Sequence, residues 1–263
     1  MLEVRNLTVI SKNQPLINNV SFRLEPGKIL GLTGASGSGK TTIIKTIMGV
    51  LPSDCRIAEG NIILDGKELI KLPSKKHRSY CGTVLGFIPQ LPMTAFDSYK
   101  QIGTQMIETF RFSLHISKLE AERLAKKELI KVNLTDVKRI LSSYPRQLSG
   151  GMLQRVTMAL LSGMNPRYIL ADEPTAALDE ENRDNILKLL KNQYKKSGIL
   201  LVSHDVKALQ FLCSEINILD KKTIVEKGTV SDILKRPKEK WTKEFVYSLN
   251  EERGGQWAWM DLK

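Results

Sequence analysis

Residues Gly34 to Thr42 read GASGSGKTT and meet the pattern GxxxxGK[ST] at Gly34, Gly39, Lys40 and Thr41. Glycine makes up ~7% of ordinary chains, so a chance match at this length is roughly a one-in-a-hundred event. The context constrains the fold further. An apolar stretch, KILGLTG (Lys28–Gly34), runs into the loop, and Ile43, Ile44, Ile47 and Met48 follow at helical spacing. Gly49 and Pro52 are stop signals for that helix. A strand, a glycine-rich turn and a helix in this order turn backbone N–H groups toward one centre. The helix dipole adds to them, and the result is a seat for anionic phosphates. Lys40 is then placed to reach β- and γ-phosphates, and the Thr41 hydroxyl to hold Mg²⁺.

Three more short apolar stretches end at polar residues: VLGFIPQ at Gln90, YILADE at Asp172 and Glu173, and GILLVSHD at His204. Brief continuous apolar runs suit strands buried on both faces of a parallel sheet. In open α/β sheets ligands bind beyond the carboxyl ends of the strands, so these residues are expected to converge on one site. Asp172 fits the acidic group that holds Mg²⁺. Glu173 is placed to polarise an attacking water at the γ-phosphate. A neutral His204 at a strand end can hydrogen-bond that phosphate or the water. Gln90 is a candidate ligand to Mg²⁺ or water. His77 and His115 lack such context and read as surface residues.

The opening segment alternates, LEVRNLTVI and then INNVSFRLE, as antiparallel strands do. From about residue 91 to 166 no comparably clear strand signal occurs. That segment reads as a helical insertion, with Ser117 and Glu120 as a capping box. Ile186, Leu189 and Leu190 mark another amphipathic helix before Gly198. A second Ser-Gly-Gly turn, Ser149 to Gly151, opens the apolar run MLQRVTMALL. Its free N–H groups suit either phosphate or simple helix capping.

In order and spacing these motifs resemble the nucleotide-binding subunits of ATP-binding cassette (ABC) transporters over nearly the whole chain. The resemblance rests on the phosphate loop, the Q-loop Gln90, the signature LSGGM at Leu148–Met152 and the strand ending at Asp172 and Glu173. It extends to the D-loop AALD at Ala176–Asp179 and the switch His204. It implies an α/β P-loop NTPase core, a mostly parallel sheet with flanking helices. An N-terminal antiparallel β subdomain and an inserted helical subdomain complete the expected fold. The implied division is 1–90 and 167–237 for the ATP-binding core, 91–166 for the signature subdomain and 238–263 for a C-terminal tail.

The resemblance also implies ATP hydrolysis with Mg²⁺, Glu173 and His204 being catalytic. The nucleotide set is Gly34, Ser36, Gly37, Ser38, Gly39, Lys40, Thr41, Thr42, Gln90 and Asp172, with Thr41, Gln90 and Asp172 around the metal. Ser149, Gly150 and Gly151 are expected to close on ATP held by a second cassette packed head to tail, with Asp179 at the seam. The implied partners are that second ATPase, two transmembrane permease subunits and, indirectly, an extracytoplasmic binding protein. The implied location is the cytoplasmic face of the membrane. The stretches Gly86–Phe110, Met48–Leu69 and Tyr144–Arg155 resemble importers for peptides and nickel, with the nickel–metallophore members nearest.

Two departures accompany it. The adenine-stacking aromatic upstream of the phosphate loop is missing, Ile10 or Ser11 standing in LTVISKNQ, which implies looser base selectivity or weaker ATP binding. The cysteine cluster of an iron–sulfur centre, frequent in peptide-importing relatives, is missing too. The three cysteines, Cys55, Cys81 and Cys213, are spaced as free thiols.

Composition narrows the rest. The N-terminus does not read as a secretory signal, and no run approaches the ~18 to 20 apolar residues of a spanning helix. The net charge of +12 is spread along the chain, and its densest cluster, Lys71–Tyr80, lacks interleaved aromatics. That cluster reads as a solvated loop, and no nucleic acid is expected as a partner. Nucleic-acid-acting cassette proteins carry two cassettes or long insertions, and a generic P-loop kinase leaves the signature and D-loop unexplained. Other transport or export complexes share the same hydrolytic machinery.

Overall fold

A computed structural model describes residues 1–251 of the chain. The alternating N-terminal residues form β1 (Leu2–Ser11) and β2 (Gln14–Leu24), paired antiparallel with Leu2 opposite Leu24 and Leu7 opposite Val20. Their two-residue connection puts Lys12 and Asn13 both at positive φ, the twist that matches a tight hairpin. β3 (Ile29–Gly34) leads into the phosphate loop and α1 (Lys40–Met48), which stops at the left-handed Gly49. β4 (Cys55–Leu64) returns to the first sheet beside β1, and the short β5 (Lys67–Glu68) completes it in the order β2-β1-β4-β5.

The segment expected to be a solvated loop instead carries a short helix, α2 (Ser74–Arg78). His77 is not a surface residue. It is 6% exposed, its Nε2 lies 2.8 Å from the Ile47 carbonyl oxygen, and its ring packs on Gly49. The end of α1 needs a cover, and an imidazole satisfies an orphan carbonyl there while filling space. His115, by contrast, is exposed and caps a helix C-terminus in the left-handed conformation.

β6 (Leu85–Ile88) precedes four helices: α3 (Ile102–Leu114), α4 (Lys118–Lys131), α5 (Val137–Ser142) and α6 (Gly150–Met164). Ser117 and Glu120 form the expected capping box of α4. Ile102, Met106 and Phe110 recur every fourth residue and face inward from α3.

The chain then alternates through β7 (Tyr168–Asp172), α7 (Glu180–Gln193), β8 (Gly198–Val202) and α8 (Val206–Leu212). It closes with a hairpin of β9 (Glu215–Asp220) and β10 (Thr223–Thr229), then α9 (Val230–Lys235) and α10 (Lys240–Glu251). The large sheet runs β10-β9-β3-β8-β7-β6, parallel except where β10 pairs with β9. The tail's two tryptophans, Trp257 and Trp259, lie outside the described residues.

β7 and β8 are buried along their whole length because two apolar cores meet at this sheet. Leu170, Leu200 and Val202 join the core shared with β1, β2 and α1. Ile169, Ala171, Ile199 and Leu201 alternate into the core shared with the helices α3 to α8. A strand with core on both faces must be apolar at every position, which explains the continuous runs.

Candidate functional site

Two glycines of the phosphate loop, Gly34 and Gly39, have no room for a side chain. Gly39 precedes α1 at φ 110°, and a Cβ there would lie 2.3 Å from Ile17 and 2.7 Å from the Leu16 carbonyl oxygen. At Gly34 a Cβ would come within 1.8 Å of the Leu219 carbonyl oxygen. Packing therefore clamps the loop from below while Gly37, at φ 73°, opens toward solvent. Lys40 is buried and curls over the loop, donating from Nζ to the carbonyl oxygens of Gly34 at 2.8 Å and Ala35 at 2.9 Å. Burial lowers its pKa, and the carboxylates of Glu173 and Asp172 oppose that shift. The Ser38 hydroxyl is buried within the cradle and has no hydrogen-bond partner among the described residues. A buried polar atom of this kind suits an anionic ligand.

The four strand ends converge as the sheet topology requires. Thr41 Oγ1 donates to Asp172 Oδ2 at 3.0 Å. Burial pushes the Asp172 carboxyl up, against the Thr41 hydrogen bond and the Lys40 charge. Glu173 follows at φ 45°, a left-handed backbone that costs a non-glycine residue energy. Its N–H is held by the Val202 carbonyl oxygen at 2.9 Å, so β8 fixes where the carboxylate emerges. His204 Nε2 lies 3.2 Å from Glu173 Oε1. Asp205 caps α8 by accepting from the N–H groups of Lys207 and Ala208, which holds the His204 backbone at the strand end.

Ser36, Gly37, Gly39, Lys40, Thr41 and Thr42 line one cleft of about 320 Å³ together with Gln90, Asp172, Glu173 and His204. Gly34 lies beneath it, its carbonyl oxygen held by Lys40. Ser149, Gly150 and Gly151 do not line it. Ser149 caps α6, accepting from the Met152 N–H at 3.2 Å, and the space above Gly150 is open. A hollow of about 500 Å³ between β1, β2 and the β9–β10 hairpin contains none of these groups.

The cleft therefore pairs a phosphate cradle with a carboxylate–imidazole pair and a hydroxyl–carboxylate pair. The sequence profile of the ABC transporter family matches residues 17–176. The chain belongs to that family.

This ABC ATPase is 37% identical over 230 residues to a probable D,D-dipeptide transport ATP-binding protein of Escherichia coli (strain K12), covering 86% of this chain and 70% of that protein. It is 34% identical over 247 residues to the metal-staphylopine import system ATP-binding protein of Staphylococcus aureus (strain Mu50 / ATCC 700699), covering 92% and 91%. Among solved structures it is similar to a dimeric ATP-binding cassette in a post-hydrolysis state bound to ADP and Pi. There the TM-score is 0.76 at 25% identity, over 88% of this chain and 99% of that one. The ABC ATPase binds ATP and couples its hydrolysis to transport. No helix among the described residues is long and apolar enough to cross a membrane.

The imidazole gives this ATPase a predictable pH response. Burial and the Lys40 charge lower the His204 pKa, while Glu173 pulls the other way. The depressed value favours the neutral ring at neutral pH. Protonation at lower pH turns His204 into a cation that engages the Glu173 carboxylate. Turnover is expected to stay level down to about pH 6.5 and to fall only below it, where the imidazole gains its proton. In a His204→Gln variant the part of the acid limb that follows the imidazole is expected to disappear. A pH–kcat profile of both proteins checks this.

Proposed function

We propose that the chain is the ATPase subunit of an importer for nickel, a nickel chelate or peptides. It works as one half of a head-to-tail cassette dimer on the cytoplasmic face of the membrane. Two permease subunits and an extracytoplasmic binding protein complete the assembly. In this reading residues 1–90 and 167–237 act as the ATP-binding core and 91–166 as the signature subdomain. The observation that carries it is the position of the Ser149 turn, a capped helix start with open space above Gly150 that stands apart from its own chain's cleft. The functions of the dipeptide-transport and metal-staphylopine-import relatives support import as the direction and those cargoes as the class.

The oxygen donors fit a divalent cation. Thr41 Oγ1 and Asp172 Oδ2 are 3.0 Å apart at the cleft wall, and Gln90 shares that cleft. Few protein ligands are expected, because Mg²⁺ keeps waters and phosphate oxygens around it. Bound there, Mg²⁺ would neutralise charge across the phosphates. Gly37 and Gly39 would offer backbone N–H groups to phosphate oxygens, the Ser38 N–H being taken by the Ala35 carbonyl oxygen at 3.2 Å, and the Lys40 ammonium would add the fixed positive charge. Glu173 Oε accepts the proton of the attacking water while His204 Nε2 keeps that carboxylate oriented. Ser149, Gly150 and Gly151 complete the partner's cleft, so ATP holds the dimer together and hydrolysis releases it. The ABC fold converts that release into a stroke on the permease.

The test is capture of tagged Glu173→Gln protein with ATP from its own detergent-solubilised membranes. Two permease chains and a second cassette are expected, after which uptake assays with nickel and with dipeptides assign the cargo. Recovery of ribosomal or nucleic-acid-bound proteins alone overturns the transporter reading. A Ser149→Arg change should leave ATP binding by the isolated chain intact and abolish the ATP-dependent dimer in light scattering. Equal loss of both would refute the assignment in trans.

A further inference from the structure

The start of α6 is joined to the D-loop by side chains that take no part in the cleft. Arg155 donates from Nη2 to Asn182 Oδ1 at 2.8 Å. Asn182 donates from Nδ2 to Asp179 Oδ2 at 2.7 Å and from its backbone N–H to Asp179 Oδ1 at 2.9 Å. Its amide also abuts the signature turn, since a Cβ on Gly151 would meet Asn182 Oδ1 at 3.0 Å. A parallel link comes from Gln154, which is buried and donates from Nε2 to the Pro174 carbonyl oxygen at 2.9 Å. Pro174 directly follows Glu173.

Asparagine is a poor helix former, and position N3 of a capped helix is usually better served by Glu or Gln. Here it satisfies two demands at once. It accepts from a guanidinium and donates to a carboxylate, which neither Asp, Glu nor Ala does. Glutamine has both groups, but its extra methylene would press on Gly151.

We propose that Asn182 is a positioning residue that ties the Ser149–Gly151 turn to Asp179 and, beside the Gln154–Pro174 link, makes them and the Glu173 segment move as one body. The inference rests on the head-to-tail reading above. It deepens that reading, because the turn closing on the partner's ATP becomes mechanically tied to this chain's own Glu173. Closure at one site then positions the base at the other, and hydrolysis at the two sites is cooperative.

The experiment uses the same transporter complex purified with Glu173 intact and measures kcat, KM and the Hill coefficient for ATP. The variants are Asn182→Ala, Asn182→Asp, Arg155→Met and the Arg155→Met/Asn182→Ala double. Asn182→Ala is expected to lower kcat about tenfold and bring the Hill coefficient to about 1. Binding of a fluorescent ATP analogue by the isolated chain should be unchanged, and its melting temperature should fall by no more than about 4 °C. Asn182→Asp retains the Arg155 contact and repels Asp179, so it should fail to rescue. The double variant should be no worse than Asn182→Ala, since both remove one connection.

Unchanged kcat and cooperativity in Asn182→Ala, with Ser149→Arg still preventing dimerisation, overturns the proposal and leaves the head-to-tail reading standing. Loss of analogue binding together with a large fall in melting temperature also overturns it, by showing a merely structural role. If Ser149→Arg dimerises normally, the head-to-tail reading fails and takes this inference with it.

Discussion

Replacing Glu173 by glutamine lowers ATP hydrolysis by about 10³-fold and leaves ATP affinity near that of the parent. The change is isosteric, so the Val202 hydrogen bond that fixes the left-handed backbone at φ 45° is untouched. What disappears is the proton acceptor, and a positioned general base contributes about 10² to 10⁴ in rate. Lys40, Thr41 and Asp172 keep their contacts, so the phosphate seat survives. Phosphate release in single-turnover mixing, alongside nucleotide titration, separates the two effects. Near-normal steady-state hydrolysis would show that another group takes the proton.

Replacing Lys40 by alanine acts one step earlier and removes ATP binding by at least about a hundredfold. The ammonium is the fixed cation of a buried cradle, and its Nζ is already held 2.8 and 2.9 Å from two loop carbonyl oxygens. A charge-assisted contact to phosphate at such a site is worth about 3 kcal/mol, which corresponds to that factor. The loop itself should persist, because the Gly34 and Gly39 conformations are set by contacts with Leu219 and with Leu16 and Ile17 rather than by the lysine. Equilibrium titration with a fluorescent nucleotide tests the affinity, and circular dichroism tests the fold. Affinity within threefold of the parent would rule out Lys40 as the main anchor.

Much of this architecture is legible in the residues because two-sided burial leaves an unmistakable trace. Residues 168–171 and 198–202 are apolar throughout, and each run ends where a polar group enters the cleft. The capping box at Ser117 and the stop at Gly49 are equally local signals. Other features depend on long-range pairing and leave weaker marks. β4 is irregular: Gly60 sits at positive φ, and a Cβ on it would lie 2.4 Å from the Asn6 carbonyl oxygen, so its alternation is interrupted. The β9–β10 hairpin mixes charges into both strands. His77 looks like part of a basic surface run until the end of α1 is seen to need its nitrogen. The Asn182 network joins residues 27 apart in the chain and has no motif of its own.

The shared wall formed by β7 and β8 has a consequence for protein engineering. Ile169, Ala171, Ile199 and Leu201 owe part of their cover to the same core that holds Phe110, Leu129 and Leu153 of the inserted helices. Excising the insertion to obtain a minimal nucleotide-binding fragment would strip one side of the central sheet. The truncated product would be sticky rather than smaller, and grafting a related insertion would succeed only where its underside matches those side chains. Strands β7 and β8 and helix α6 are thus tied together, because none can be swapped without refitting the face they share.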